Sequence, residues 1–94
     1  MLEKQIEAKV CEYAKARGWL TYKFTSPNRA AVPDRLLISP LGKVIFVEFK
    51  REGQKPTPAQ TREHQRLREQ KVSVFVIDNV KDGQAVVDVM GWEQ

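Results

Sequence analysis

The 94-residue chain contains one cysteine and one histidine, so it lacks the pairs from which disulfides and zinc sites are built. The single cysteine, Cys11, lies within a helical pattern, where a small buried hydrophobic residue is expected. The chain also has no apolar run of the length that a signal peptide or a membrane-spanning helix requires. These absences predict a cytoplasmic, intracellular protein that makes no contact with a membrane.

Repeats, linkers and low-complexity tracts are absent as well. Hydrophobic residues make up 41% of the chain and charged residues 30%, which excludes a disordered polypeptide and allows a true core. At this length residues 1–94 form one domain, with no room for a separate recognition module.

The net charge of +4 is unevenly distributed. Many of the basic residues fall in one stretch, namely Lys50, Arg51, Lys55, Arg62, Arg66, Arg68 and Lys71. A basic surface attracts polyanions, and nucleic acid is the partner that this charge favours; ordinary solubility is the alternative explanation.

Hydrophobic periodicity predicts a helix over roughly residues 2–17, followed by a strand over Trp19–Phe24 and a loop over Thr25–Pro33. A short strand at 34–39, a turn at 40–43 and an apolar strand at 44–50 then form an antiparallel hairpin. A two-residue loop would set Asp34 opposite Phe49, on the wrong face. We expect a three-residue loop or a bulge, in which Gly42 is left-handed and Asp34 lies opposite Glu48.

The second half of the chain predicts a helix, a strand and one ambiguous segment. Thr57 and Gln60 form a capping box around Pro58, and the helix runs to about Gln70. The apolar strand at 72–77 is expected to be central and parallel to the strand at 44–50. Residues 85–91 fit either a helix or a strand.

The charged residues of the hairpin have a chemical use. Glu48 and Lys50 point to the same face at the end of an apolar strand, with their Cα atoms roughly 7 Å apart. Such charges cost free energy unless a metal, water or partner compensates them. Two carboxylates, Asp34 and Glu48, with the carbonyl of Phe49 can hold Mg²⁺ or Mn²⁺, while Lys50 orients water and stabilises charge on phosphorus. This set suits metal-assisted hydrolysis of a phosphodiester.

Each of these residues also has an ordinary interpretation. Asp34 is a common residue at the entry of a strand after a proline. Glu48 and Lys50 can form an ion pair on a solvated strand face, although Val44 and Phe46 share that face and indicate that it is partly buried.

Pro33-Asp34 and Glu48-Phe49-Lys50 resemble the two half-motifs of the PD-(D/E)XK nuclease superfamily. With the helix start Thr57–Gln60, nearly the whole chain, from Glu7 to about residue 90, resembles the virus-type replication-repair nuclease (VRR-NUC) domain. The resemblance implies an α/β fold with a restriction-endonuclease-like core, in which a mixed sheet is flanked by helices in the order α-β-β-β-α-β-α. It also favours a helix for the ambiguous C-terminal segment.

Carried over by position, the resemblance implies metal ligation by Asp34, Glu48 and the Phe49 carbonyl, with Lys50 catalytic. Glu7 would be the acid of the first helix, touching the metal directly or through water, and Gln60 would line the site.

These further assignments have alternatives. Glu3 competes with Glu7, and either can be a solvated helix residue; the capping box alone explains Gln60. His64 can face phosphate or water in the site, but a surface histidine is the expectation. The family usually has a glycine before its Pro-Asp pair, where this chain has Val32.

The resemblance implies a structure-selective endonuclease that acts on branched or junction DNA in replication, repair or recombination and works as a homodimer. Arg51, Lys55, Arg62 and Arg66 would contact flanking phosphates, which positions DNA without reading its sequence. The alternatives are a non-catalytic nucleic-acid-binding module of the same fold and a sequence-specific restriction-type endonuclease.

Overall fold

The computed structural model describes residues 1–94 as three helices and four strands. Along the chain these are α1 (Glu3–Ala16), β1 (Leu20–Lys23), β2 (Arg35–Ile38), β3 (Val44–Phe49), α2 (Pro58–Glu69), β4 (Ser73–Ile77) and α3 (Val80–Met90). The order α-β-β-β-α-β-α is the predicted one, and the predicted ends of the first six elements lie within one residue of those observed. The last helix begins at Val80, five residues before the segment 85–91 that the pattern indicated.

Local capping explains where the last two helices begin. Thr57 Oγ1 accepts from the backbone N–H of Gln60 at 3.1 Å, and Thr57 N–H donates to Gln60 Oε1 at 2.9 Å, which completes the predicted capping box of α2. At α3, Asn79 Oδ1 accepts from the N–H of Asp82 at 2.8 Å. This cap favours the helix over the strand in the segment where the periodicity was ambiguous.

The four strands form one mixed sheet in the order β1-β2-β3-β4. Strands β1, β2 and β3 pair antiparallel, and β3 pairs parallel with β4, as predicted for strands joined by a helix. The prediction that β4 is central was wrong, because β4 is an edge strand. Helices bury its apolar residues Val74 and Ile77, and Arg68 Nη2 donates to the Val74 carbonyl oxygen at 2.6 Å.

The helices cover the sheet unequally. Helices α1 and α3 pack against each other and against the face that carries Val47 and Phe49. The core between them contains Ile6, Val10, Cys11, Ala14, Trp19, Leu37, Ile45, Val47, Phe49, Ile77, Val87 and Met90. Helix α2 lies on the opposite face, where its side chains reach Glu48 on the side of β3 and β4.

The half of this second face that β1 and β2 provide has no helix over it. Leu20 and Tyr22 of β1 and Val44 of β3 are 54%, 52% and 42% exposed, and the register places all three on one face. None of the three helices has the length and apolarity that crossing a membrane demands.

Candidate active site

The β2–β3 hairpin determines which face of the sheet Asp34 occupies. Ile38 pairs with Val44 and Arg35 with Val47, so the loop consists of the three residues 40–42 and Asp34 continues the ladder opposite Glu48. Gly42 has φ +88° and donates its N–H to the Ser39 carbonyl oxygen at 2.9 Å. The expected three-residue loop with a left-handed Gly42 is therefore confirmed, and it directs Asp34 and Glu48 to one face.

Asp34 is held at the end of the sheet by its own backbone and side chain. Its carbonyl oxygen accepts from Phe24 N–H at 2.8 Å, which extends the pairing of β1 with β2. Its Oδ2 atom accepts from the N–H of Phe49 at 2.9 Å. One carboxylate oxygen thus fixes the side chain against β3, and Oδ1 is left for another partner.

Pro33 leaves a second oxygen available at the same place. The β2–β3 register places Pro33 opposite Phe49. Proline has no N–H, so it has no donor for the Phe49 carbonyl oxygen that a ladder partner would otherwise bind. The Pro33-Asp34 pair therefore has two structural effects: Asp34 caps the Phe49 N–H, and Pro33 leaves the carbonyl oxygen without a ladder donor.

Glu48 lies beneath α2 and is 2% exposed. Gln60 Nε2 donates to its Oε2 atom at 3.3 Å, while Oε1 has no hydrogen-bond partner. Burial, and next the negative charge of Asp34, raise the pKa of Glu48 to about 8, although the Lys50 charge acts in the opposite direction. The negative charge of Glu48 is therefore poorly compensated in the protein alone.

Lys50 follows Glu48 by two residues and occupies the same face of the sheet. Its N–H donates to the carbonyl oxygen of Ile77 at 2.9 Å, which extends the pairing of β3 with β4, and the residue is 7% exposed. The expectation of a partly buried face is thus confirmed, and the solvated-face interpretation of Glu48 and Lys50 does not hold.

These oxygens fit a hard divalent cation. The Oε1 atom of Glu48 is buried without a partner, Asp34 has a free oxygen, and the Phe49 carbonyl lacks a ladder donor. No group of three or more His, Cys, Asp or Glu side chains is arranged to hold a metal by side chains alone. Two carboxylates and one backbone carbonyl are the type of donor set that Mg²⁺ or Mn²⁺ accepts while keeping water ligands.

The acids of α1 lie beside Asp34. Glu3, Glu7 and Asp34 line one cavity of about 290 Å³, together with two lysines, Lys4 and Lys23. Glu7 Oε2 accepts from Arg35 Nε at 2.6 Å, so one of its oxygens is engaged in an ion pair within the protein. Both candidate acids of the first helix are therefore close to the carboxylate, and Glu7 is the one with a fixed partner.

Gln60 combines the two roles that the sequence offered as alternatives. Its Oε1 accepts from Thr57 N–H and its Nε2 donates to Glu48, so the residue that caps α2 also contacts the carboxylate. The capping box places Gln60 in the first turn of the helix, directly over the end of β3.

The expectation of a surface histidine was wrong. His64 is 1% exposed, and its Nε2 atom lies 3.6 Å from Glu48 Oε1. Burial, followed by the positive charges of Arg68 and Lys50, lowers the pKa of His64. The available signal was spacing: His64 follows Gln60 by four residues, which places both on one face of a helix.

Arg29 and Glu63 form a contact that the sequence did not indicate. Arg29 Nε and Nη2 donate to Glu63 Oε1 at 3.1 and 2.8 Å, which joins the loop before Pro33 to α2. The Arg29 hydrogen bond lowers the pKa of Glu63. This loop also contains Ala31 with φ +66°, so the left-handed residue is Ala31 and not the neighbouring Val32.

The four basic residues predicted to contact phosphate are all exposed. Arg51 and Lys55 lie in the loop that leaves β3, while Arg62 and Arg66 lie one turn apart on α2. Arg66 Nε also lies 3.6 Å from Glu63 Oε1. The loop with Arg51 and Lys55 begins at the end of the sheet that carries Lys50, and Arg62 and Arg66 lie on the helix that covers Glu48.

The largest cavity, of about 410 Å³, lies elsewhere. Pro40 and Leu41 of the hairpin loop line it together with Trp19 and Trp92. The loop is at the opposite end of β3 from Glu48, so this cavity contains none of the candidate residues.

No family model matches the chain. The chain is 48% identical over 77 residues to "Putative nuclease p44" of Acyrthosiphon pisum secondary endosymbiont phage 1, covering 82% of this chain and 83% of that protein.

Two solved structures share the fold. A "VRR_NUC domain" superposes with a TM-score of 0.85 at 36% identity and covers 92% of this chain and 94% of that chain. A "VRR_NUC domain protein" has a TM-score of 0.78 at 16% identity, with 94% and 86% covered, and indicates the fold alone. The shared fold, and the identity over most of both chains, show that this chain belongs to the VRR-NUC nuclease family.

Proposed function

We propose that the chain is a metal-dependent, structure-selective DNA endonuclease that hydrolyses phosphodiester bonds in replication, repair or recombination, with a branched DNA such as a Holliday junction as its substrate. One observation carries this proposal: the three-residue hairpin loop places Asp34 opposite Glu48, on the face that also carries Lys50. Family membership supports the nuclease activity itself.

Asp34, Glu48 and the Phe49 carbonyl would hold Mg²⁺ or Mn²⁺. When bound, such a cation supplies positive charge to the scissile phosphate and lowers the pKa of a coordinated water. The protein keeps the two carboxylates in place before the cation arrives, because Phe49 N–H binds Asp34 and Gln60 binds Glu48. Glu7 or Glu3 would add an oxygen from the cavity that they share with Asp34.

Lys50 would orient the attacking water and stabilise the charge that develops on phosphorus. It suits this role because it emerges from β3 on the face of Glu48 and is shielded from bulk solvent. A charge in such a buried site acts more strongly than a charge at the surface. A lysine without a carboxylate hydrogen bond is also free to approach a phosphate oxygen.

The basic residues around the site would contact the phosphates on either side of the scissile one. Arg51, Lys55, Arg62 and Arg66 are exposed, so they can reach a nucleic acid without rearrangement of the fold. Contacts of this kind bind the backbone of DNA and do not read bases. Selectivity for DNA structure follows more naturally from such contacts than selectivity for sequence.

A homodimer is part of this proposal. The uncovered stripe of Leu20, Tyr22 and Val44 supports it, because these apolar side chains lie on the sheet face that carries Glu48 and have no helix over them. Two copies related by a two-fold axis would cut two strands of a symmetric junction.

The test is a cleavage panel of junction, flap, splayed and linear DNA with Mg²⁺, Mn²⁺ or EDTA, using Lys50→Met as the inactive control. We expect cleavage of branched substrates that requires the metal and is lost in the variant. Salt-sensitive binding without cleavage would instead indicate a non-catalytic binding module. Discrete fragments from linear duplex would indicate a sequence-specific restriction-type enzyme, and either result would overturn the proposal.

A further inference from the structure

Helix α2 presents two hydrogen-bond donors to the two oxygens of one buried carboxylate. Gln60 Nε2 lies 3.3 Å from Glu48 Oε2, and His64 Nε2 lies 3.6 Å from Glu48 Oε1. The two donors are four residues apart, which places them one above the other on the face of α2 that meets the sheet. Gln60 has a second role in the helix cap, whereas the side chain of His64 makes no hydrogen bond that would explain its position.

The His64–Glu48 contact joins two atoms that otherwise lack partners. His64 is 1% exposed and Glu48 is 2% exposed, and neither His64 Nε2 nor Glu48 Oε1 has a hydrogen bond. An unpaired buried polar atom lowers stability, so a leucine at this position would be the more stable choice. A role in packing alone therefore does not account for an imidazole here.

Resting on the proposed function, we propose that His64 is a positioning residue of the metal site: its Nε2–H binds one lone pair of Glu48 Oε1 while Gln60 binds Oε2. These two contacts fix the carboxylate towards Asp34 and leave the second lone pair of Oε1 for the cation. The two atoms must approach by about 0.6 Å to reach ordinary hydrogen-bond length. Such contacts are commonly long in the empty site and shorten when the site is filled. Partners of this kind typically affect metal affinity about 10- to 100-fold.

The test measures Mn²⁺ binding by calorimetry for the wild type, His64→Leu and His64→Gln, with Gln65→Leu as a matched control at the exposed neighbouring position of α2. Leucine removes the donor and keeps an apolar volume, whereas glutamine keeps an N–H at a similar reach. We expect His64→Leu to weaken Mn²⁺ binding at least about tenfold, and His64→Gln to restore most of that loss. We expect Gln65→Leu to bind as the wild type does. The thermal midpoint of His64→Leu without metal should equal or exceed that of the wild type.

Three results would overturn this role. Equal Mn²⁺ affinity in the wild type and His64→Leu would exclude the positioning role of His64 but would not contradict the proposed function. A loss in His64→Leu and His64→Gln alike, with a lowered thermal midpoint in both, would assign His64 to packing. Failure of the wild type itself to bind Mn²⁺ would overturn the proposed function, and with it the role of His64.

Discussion

Asp34 lies opposite Glu48 across the β2–β3 hairpin, one residue beyond the pair that Arg35 makes with Val47. Its Oδ2 atom accepts from the N–H of Phe49, the residue after Glu48, at 2.9 Å. The whole candidate site depends on this register, because a slip of one residue would direct Asp34 to the core face and leave Glu48 on the face that carries Lys50.

The hairpin loop should be sensitive to any side chain at Gly42. This residue has φ +88° and no heavy atom near the position of a Cβ, so substitution changes only backbone strain. Gly42→Ala should lower the free energy of unfolding by about 1 kcal/mol. Urea denaturation measures the change, and Leu41→Ala at the exposed neighbouring position is the control. Equal stability of Gly42→Ala and the wild type would show that the loop adopts another conformation.

The metal-free protein should lose stability as the pH rises from 6.5 to 8. The pKa of Glu48 is raised to about 8 by burial and by Asp34, so the folded protein keeps a proton that the unfolded chain has released. The loss over this range is at most about 2 kcal/mol. The lowered pKa of His64 opposes this loss slightly just above pH 6.5, and its effect fades by about pH 7.5, where the unfolded histidine has released most of its proton.

Chemical denaturation in EDTA at both pH values measures this effect, and Glu48→Gln is the control that removes the titrating group. We expect the pH dependence to disappear in the variant. The same slope in the wild type and in Glu48→Gln would assign the effect to another group.

The loop before Pro33 should tolerate glycine at one position and not at its neighbour. Ala31 has φ +66°, which costs an alanine about 1 kcal/mol, whereas Ala30 has no such strain. Ala31→Gly should therefore leave the thermal midpoint unchanged or raise it, because relief of strain offsets the greater freedom of the unfolded chain. Ala30→Gly should lower it. The reverse order in thermal denaturation would contradict the left-handed assignment.

The contact of α3 with α1 should not accept a methyl group at Gly83. A Cβ there would collide with the side chain of Val10 and lie 3.2 Å from Ile77 Cγ2. Overpacking costs about 1–3 kcal/mol, and the better helix propensity of alanine returns about 1 kcal/mol. Gly83→Ala should therefore be destabilised by up to about 2 kcal/mol in urea denaturation, whereas Lys81→Ala, on the exposed side of α3, should not. A more stable Gly83→Ala would contradict this packing.

The parts that the sequence predicted correctly are those determined by local chemistry. The register follows from the alternation of β3 and from the glycine that the loop requires, and the start of α2 follows from Thr57, Pro58 and Gln60. The C-terminal helix could be predicted only through the family resemblance, because the spacing of its valines fits both a helix and a strand. The cap at Asn79 is the local signal that could have decided it.

The features that could not be predicted from the sequence depend on packing between distant segments. The apolar sequence of β4 does not show that it is an edge strand, because helices bury Val74 and Ile77 and so favour the same residues that a central strand would have. The burial of His64 results from the way α2 lies over β3, and a polar helix sequence does not show which of its residues face inward. The Arg29–Glu63 pair joins positions 34 residues apart and has no periodic signature.

The most direct test of the central claim is a calorimetric titration of Mn²⁺ into the wild type and Glu48→Gln under identical conditions. If Asp34, Glu48 and the Phe49 carbonyl form the metal site, the wild type will show saturable binding. Glu48→Gln will show none, although its thermal midpoint without metal will be as high as that of the wild type or higher. Identical binding curves for the two proteins would contradict the account.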